Sequence, residues 1–283
     1  MEPRDIKRVA VLFSGGTDST ASTALLAETF QEIHLLSYER AGFHGISNSR
    51  YNAGKLRTRF PEHRIVHRLL ETTPLARYVT GHKRFRYFCK YGFFTLQNCG
   101  FCALLNHAGS LAYCLRHGIK DVADGITYDW PFFPGHMDKV IQLFREMYAG
   151  FGITYHTPVL HCDIDRPMQY MDKLIGKGDV PQPDENRNTT GKILKRLGLS
   201  DTENYKGTEL DKKAQARCFQ FVLPNIFVYW VYNAPQRWDS YEAKVVEYFG
   251  HLIQDVSKLV QEHHEGGAHA ELFTFLDTPP DGP

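Results

Sequence analysis

Val9-Ala10-Val11-Leu12-Phe13-Ser14-Gly15-Gly16-Thr17-Asp18-Ser19 decides the fold. Its first five residues form an unbroken apolar run, as expected of a strand buried on both faces of a parallel sheet. The next six are small or polar, and after them Thr20–Phe30 carries Ala21, Ala24, Leu25 and Ala27 at helical spacing. Strand, Gly-Gly turn, helix is the context in which a backbone can approach an anion closely. The amides of the turn and the helix start supply partial positive charge. Ser14 and Ser19 add hydroxyl donors, and Asp18 can cap the helix or help hold Mg2+.

Outward from that stretch the alternation continues. Strands are predicted at Ile33–Tyr38, near Arg64–Leu69, at Asp121–Asp124 and near Ile153–His156. Between them fall helices near Asn48–Phe60, over Ala103–His117 and at Met137–Phe151. Such alternation predicts a doubly wound α/β fold around a parallel sheet, here over residues 1–160. The character changes after Leu160. Gly176–Arg187 reads as an exposed loop, and helices are predicted at Thr190–Leu197, at Asp211–Tyr232 with an interruption near Pro224, and at Ser240–His264. Residues 161–265 are thus expected to form a mainly helical accessory region and 266–283 a tail. No internal repeat or low-complexity tract is present.

Composition narrows the class without naming a partner. Hydrophobic residues make up 42% and charged residues 23%, which is globular, and Lys+Arg 33 against Asp+Glu 32 excludes a strong global field. Basic runs at Arg57–Arg68, His82–Lys90 and Lys192–Arg196 are read as solvated surface. In His82–Lys90, interleaved rings and cations suit base stacking as well as they suit a core with a charged rim. Met1–Asp5 shows no signal-peptide layout, and no stretch approaches the roughly 18–20 apolar residues of a membrane span. A cytoplasmic protein is expected, its six cysteines being thiols or metal ligands rather than disulfides. The Ser240–His264 helix suits packing on its own domain, with a homodimer interface as the alternative.

Ser14–Ser19 resembles the SGGxDS signature of the PP-loop ATP pyrophosphatases. It lacks the GK[ST] ending of a Walker loop. The resemblance implies a five-stranded sheet that binds ATP at the C-terminal ends of its strands, with Ser14, Gly15, Gly16, Thr17, Asp18 and Ser19 gripping the leaving pyrophosphate. AMP would pass to a substrate. Ser37, Tyr38 and Glu39, at the end of the second strand, are expected near the nucleotide.

Cys99-Gly100-Phe101-Cys102 precedes a helix, whose start favours thiolates and lets two of them converge on one metal. Alone, the pair leaves zinc, an iron–sulfur cluster, a redox dithiol and chance open. Followed by helix, strand, Gly125 and Asp129, it resembles the tRNA 2-thiocytidine and thiouridine synthetases. That resemblance implies a [4Fe–4S] cluster on Cys99, Cys102 and Cys218, with Cys89 as rival or fourth ligand, and zinc as the other metal. It also implies sulfur from a separate donor. The family's GHxxDD pattern is only partly kept: Gly125 and Asp129 match, while Ile126 and Trp130 replace its His and second Asp. Cys114 and Cys162 are read as structural thiols.

Asp129-Trp130-Pro131-Phe132-Phe133-Pro134 and the later His156-Thr157-Pro158 resemble 7-cyano-7-deazaguanine synthase, although that family's CxxCxxC zinc motif is missing. Both resemblances span about Val9–Leu160. Together they imply an adenylating enzyme. Sulfur transfer to tRNA or a nucleobase-like small molecule is the first expectation, and amide or nitrile formation on a small carboxylate the second. A non-catalytic nucleotide-binding subunit is the third.

Overall fold

A computed structural model describes residues 6–40, 43–81, 84–128, 133–162, 188–218, 227–228, 231 and 238–281. Its centre is a parallel sheet of five strands: β1 (Arg8–Leu12), β2 (Glu32–Glu39), β4 (Arg64–Glu71), β5 (Asp121–Ala123) and β6 (Thr154–His156). They lie in the order β4-β2-β1-β5-β6. A two-residue strand β3 (Phe43–His44) pairs antiparallel with β7 (Arg217–Cys218) outside the sheet.

The unbroken apolar runs have the cause expected of them, because helices cover both faces. Val9, Val11, Ile33, Leu35 and Ile65 point to one side. There α1 (Thr17–Leu26), α2 (Ser49–Arg59) and α7 (Thr190–Arg196) supply Ala21, Ala24, Ala53, Leu56, Ile193 and Leu194. Ala10, Leu36, Tyr38 and Val122 point to the other side. They meet α5 (Asn98–His117), α6 (Asp138–Ala149) and the long helix α9 (Trp238–Gly266). Between β4 and α5 the chain forms α3 (Thr73–Gly81) and α4 (Arg84–Tyr91).

Two segments depart from the expectations. A short α8 (Glu209–Ala214), capped by Thr208 Oγ1 accepting from Asp211 N, gives way to β7, so the helix expected over Asp211–Tyr232 is broken early. The end of α8 has a local cause: Gln215 is extended and its amide turns back to Asp211 Oδ1 at 2.7 Å. Within the rest of that span residues 227, 228 and 231 are helical, and 219–226, 229–230 and 232 lie outside the described residues. The expected tail is docked, with Leu272, Phe273, Phe275 and Leu276 buried in the same core as α5 and α9. The long helix likewise buries Tyr241, Val245, Tyr248, Phe249 and Leu252 there. The loop expected at 176–187 lies outside the described residues. Among the described residues, no helix is long and apolar enough to cross a membrane.

Candidate functional site

The chain leaves β1 for β2 on one side and later places β5 on the other. The gap past the carboxyl ends of β1 and β5 is therefore the topological switch point, where open α/β sheets bind ligands. A polar recess of about 180 Å3 lies there, lined by Leu12, Ser14, Gly16, Thr17, Asp18, Ser19, Gly125 and Gln215.

The loop's shape follows from its residues. Gly15 adopts φ +79°, open to glycine without strain, and a Cβ on it would lie 2.5 Å from Ser49 Cα. Gly16 is the extended N-cap of α1 and offers no side-chain cap. The loop carbonyls are tied down: Asn52 Nδ2 donates to Gly15 O at 2.6 Å, and Thr20 Oγ1 donates to Gly16 O at 2.7 Å. The amides of the first helical turn keep no capping side chain, so the positive end of α1 opens on the recess. Ser14 and Ser19 hydroxyls stand 3.2 Å apart at its mouth. Gly125 closes the other wall so tightly that a Cβ would meet Ser19 N at 2.4 Å.

The remaining contacts come from residues 188–218, which sequence reasoning did not place here. Asp18 Oδ2 pairs with Lys206 Nζ at 3.0 Å, and its Oδ1 accepts from Thr190 Oγ1 at 2.7 Å. Thr17 Oγ1 donates to the buried Asp211 at 2.7 Å, as does Gln215 Nε2. A lysine, a threonine and an amide brought back across the loop form no local motif.

Ser37 and Tyr38, expected beside the nucleotide, are buried and do not line the recess. Ser37 Oγ donates to Phe13 O at 2.6 Å, and the Tyr38 hydroxyl pairs with Ser110 Oγ on the opposite face. They hold the end of β2 rather than line the recess. Behind Gly125, Asp124 is buried with its carboxyl near Tyr155 OH and 3.8 Å from His107 Nε2. Burial raises that carboxyl to about 6 and lowers His107 to about 3. Asp129 lies outside the described residues.

Cys99 and Cys102 are half-buried in the first turn and a half of α5. Because α5 runs back toward the start of β5, its first residues lie on the same edge of the sheet as the loop. Arg40, just past β2, ties that edge together by donating to Asn106 Oδ1 at 2.7 Å. Cys89 is exposed on α4, while Cys114 and Cys162 are buried. Burial pushes the Cys114 thiol well up. The Cys218 backbone pairs with Phe43 in β7. Among the described residues, no three His, Cys, Asp or Glu side chains are grouped to hold a metal. Of the trio expected from the resemblance, the side chain of Cys218 lies outside the described residues.

No protein-family model matches the chain, and no curated protein matches it. Among solved structures, the predicted subunit of tRNA methyltransferase from Methanocaldococcus jannaschii is 19% identical. It aligns with a TM-score of 0.37, covering 75% of this chain and 96% of that one. Superposition at that level leaves the function of this chain to its own residues.

Proposed function

We propose that this chain is an adenylating enzyme of the PP-loop type, which binds ATP at the Ser14–Ser19 recess and cuts it between the α- and β-phosphates. One observation carries the reading: the uncapped start of α1, Ser14 and Ser19 form an anion recess at the switch point, beside Lys206. A substrate oxygen attacks the α-phosphorus, the bond to the β-phosphate oxygen breaks, and pyrophosphate leaves with the electron pair. The fixed loop dipoles and the Lys206 ammonium meet the negative charge on that leaving group, and such preorganised stabilisation is usually the largest catalytic contribution. Asp18 is the carboxylate of the recess and suits Mg2+ bound jointly with phosphates. When bound, the ion would neutralise phosphate charge.

For the second half-reaction we favour sulfur as the incoming nucleophile. A separate persulfide donor passes its outer sulfur to one thiolate of the Cys99–Cys102 pair. That sulfur attacks the adenylated carbon of tRNA or a nucleobase-like small molecule, and AMP leaves with the electron pair. The second cysteine then attacks the carrier sulfur, freeing the thiolated product and leaving a Cys99–Cys102 disulfide that a dithiol reductant reopens. The support is the pair's place on the same edge as the recess. Cys99, Cys102 and Cys218 would hold an iron–sulfur cluster or zinc when one is bound. Residues from 188 onward shape the substrate side of the pocket in this reading.

Incubating the purified chain with ATP and Mg2+ tests the first half. AMP and pyrophosphate are the expected products, and ADP with phosphate refutes the reading. Iron, labile sulfide and zinc analysis on protein purified without oxygen tests the second. Four irons per chain with a band near 400 nm, the usual [4Fe–4S] signature, would replace direct thiol delivery by a cluster. Ammonia incorporated in place of sulfur would favour the amide- or nitrile-forming ligase.

A further inference from the structure

β4 is the outer strand of the sheet, and residues 278–281 lie along it. Asp281 N donates to His67 O at 2.8 Å, and Arg68 donates to Thr278 O. An open edge strand is commonly covered in this way, but the contact does more than cover it. Arg50 grips the Asp281 carboxylate with Nε at 3.0 Å and Nη2 at 2.8 Å. That places Oδ2 2.8 Å from Nδ1 of His67. His67 is fully buried.

The other ring nitrogen faces the underside of the phosphate loop. His67 Nε2 stands 2.9 Å from Ser37 Oγ and 3.2 Å from Ser49 Oγ. Ser37 gives its proton to Phe13 O at 2.6 Å, and Ser49 gives its own to Ile46 O at 2.6 Å. Facing the carboxylate, Nδ1 carries the one proton of the neutral ring, so Nε2 is the acceptor that the two serine hydroxyls share with their carbonyls. Both serines bear on the loop. Phe13 O belongs to the peptide that enters Ser14, and Ser49 Cα is the atom against which Gly15 is packed. A buried donor that loses its partner costs its full desolvation, so this chain of contacts tolerates few arrangements.

We infer that Asp281 and His67 are positioning residues for the phosphate loop: the segment 278–281, docked on β4, fixes the imidazole that holds Ser37 and Ser49 beneath Phe13–Gly15. The inference rests on the adenylation reading for the identity of the anion, but not for the order of the loop. A purely structural role predicts loss of thermal stability alone. A positioning role predicts loosening of the loop, which lies on the far side of β2.

The test uses the whole chain as Asp281→Ala, His67→Asn and the double variant. His67→Asn keeps a polar group toward Asp281 and removes the one toward the serines. Amide hydrogen exchange across residues 14–20 is measured alongside calorimetric binding of magnesium pyrophosphate. Each single variant is expected to speed loop exchange and weaken pyrophosphate by roughly tenfold, the size of one lost buried partner. The double variant should lose no more than His67→Asn. Unchanged loop exchange in Asp281→Ala, or fully additive losses in the double, overturns the inference. If the native chain does not bind pyrophosphate, the adenylation reading fails, and loop exchange alone still judges the positioning role. If His67→Asn does not fold, Asp281→Ala decides by the same exchange measurement.

Discussion

Gly125→Ala is the most direct probe of the recess, because its cost can be worked from the geometry. The added Cβ would lie 2.4 Å from Ser19 N, 2.5 Å from Ser19 Cα and 2.7 Å from Asp18 C. Ordinary contact begins near 3.4 Å, so the start of α1 must retreat from β5 by about 1 Å. All three atoms are backbone, so no side-chain rotation relieves the clash. Overpacking of this kind costs about 1–3 kcal/mol, a fall in melting temperature of roughly 2–5 °C for a chain of this size. The functional loss should be larger, because a displacement of about 1 Å in a positioning element can reduce rate about 100-fold. Gly54→Ala is the control: it lies inside α2 with nothing within 4 Å of the added atom. That variant should gain roughly 0.5–1 kcal/mol from helix propensity and keep its activity. The assay is AMP release with thermal denaturation in parallel. Native activity and stability in Gly125→Ala would refute the tight approach of β5 to the loop.

Three further outcomes are expected. Lys206→Met should leave the fold intact and lower kcat/KM for ATP by about 10- to 100-fold, the range for a lost charge-assisted bond. An unchanged value would remove Lys206 from the site. Gly100→Ala places a Cβ 2.1 Å from Phe249 Cζ, and that ring is fully buried. It should therefore lever α9 off α5 and lower stability by about 1–3 kcal/mol, and an unchanged melting temperature would refute that contact. For pH, His67 and His107 are lowered by burial to about 4 and about 3, so their neutral forms favour the fold. That stability is present above about pH 6.5 and is lost as pH falls. Asp124 acts oppositely: burial raises it to about 6, so folding favours its proton and stability is gained as pH falls from 6 toward 4. Asp124→Asn should steepen the acid loss in that window by about 1.4 kcal/mol per pH unit, and an unchanged slope in acid denaturation curves would refute the assignment.

The sheet was legible because its signals are local. Val9–Phe13 had to be a doubly covered strand, and α1 and α2 followed from short apolar spacings. Boundaries were less so: α1 begins at Thr17 rather than Thr20, because the N-cap is Gly16 and not a side-chain capper. Ser37 and Tyr38 were expected near the nucleotide by their place at a strand end. Alternation along β2 instead sends them to opposite buried faces, where Phe13 O and Ser110 satisfy their hydroxyls. A strand end says how high a residue sits, not which way it points.

Within 188–218 the helix at Thr190 was legible, but the segment's contacts with the loop were not, and the reason bears on how the site works. Thr190, Lys206, Asp211 and Gln215 acquire their roles only by reaching Asp18, Thr17 and Gly16, which stand far earlier in the chain. No periodicity records such a contact. Yet the segment is anchored as firmly as the loop it covers, since Ile193, Leu194, Leu199 and Tyr205 share the core of α1 and α2. A Cβ on Gly191 would lie 1.9 Å from Glu203 O, so α7 and the strand of chain before Lys206 are themselves held together. The Ser14–Ser19 loop is thus clamped from two sides: Lys206 and Gln215 above it, and Ser37 and Ser49 on His67 below it. If Lys206 leaves Asp18 to meet an incoming anion, α7 gives it a fixed base from which to move. Asp18 is then released for a cation at the moment a phosphate arrives. On this argument Lys206→Met and Asp18→Asn should be non-additive in ATP affinity, the double variant losing little more than the worse single. Simple additivity in equilibrium titrations would show that the two groups act separately.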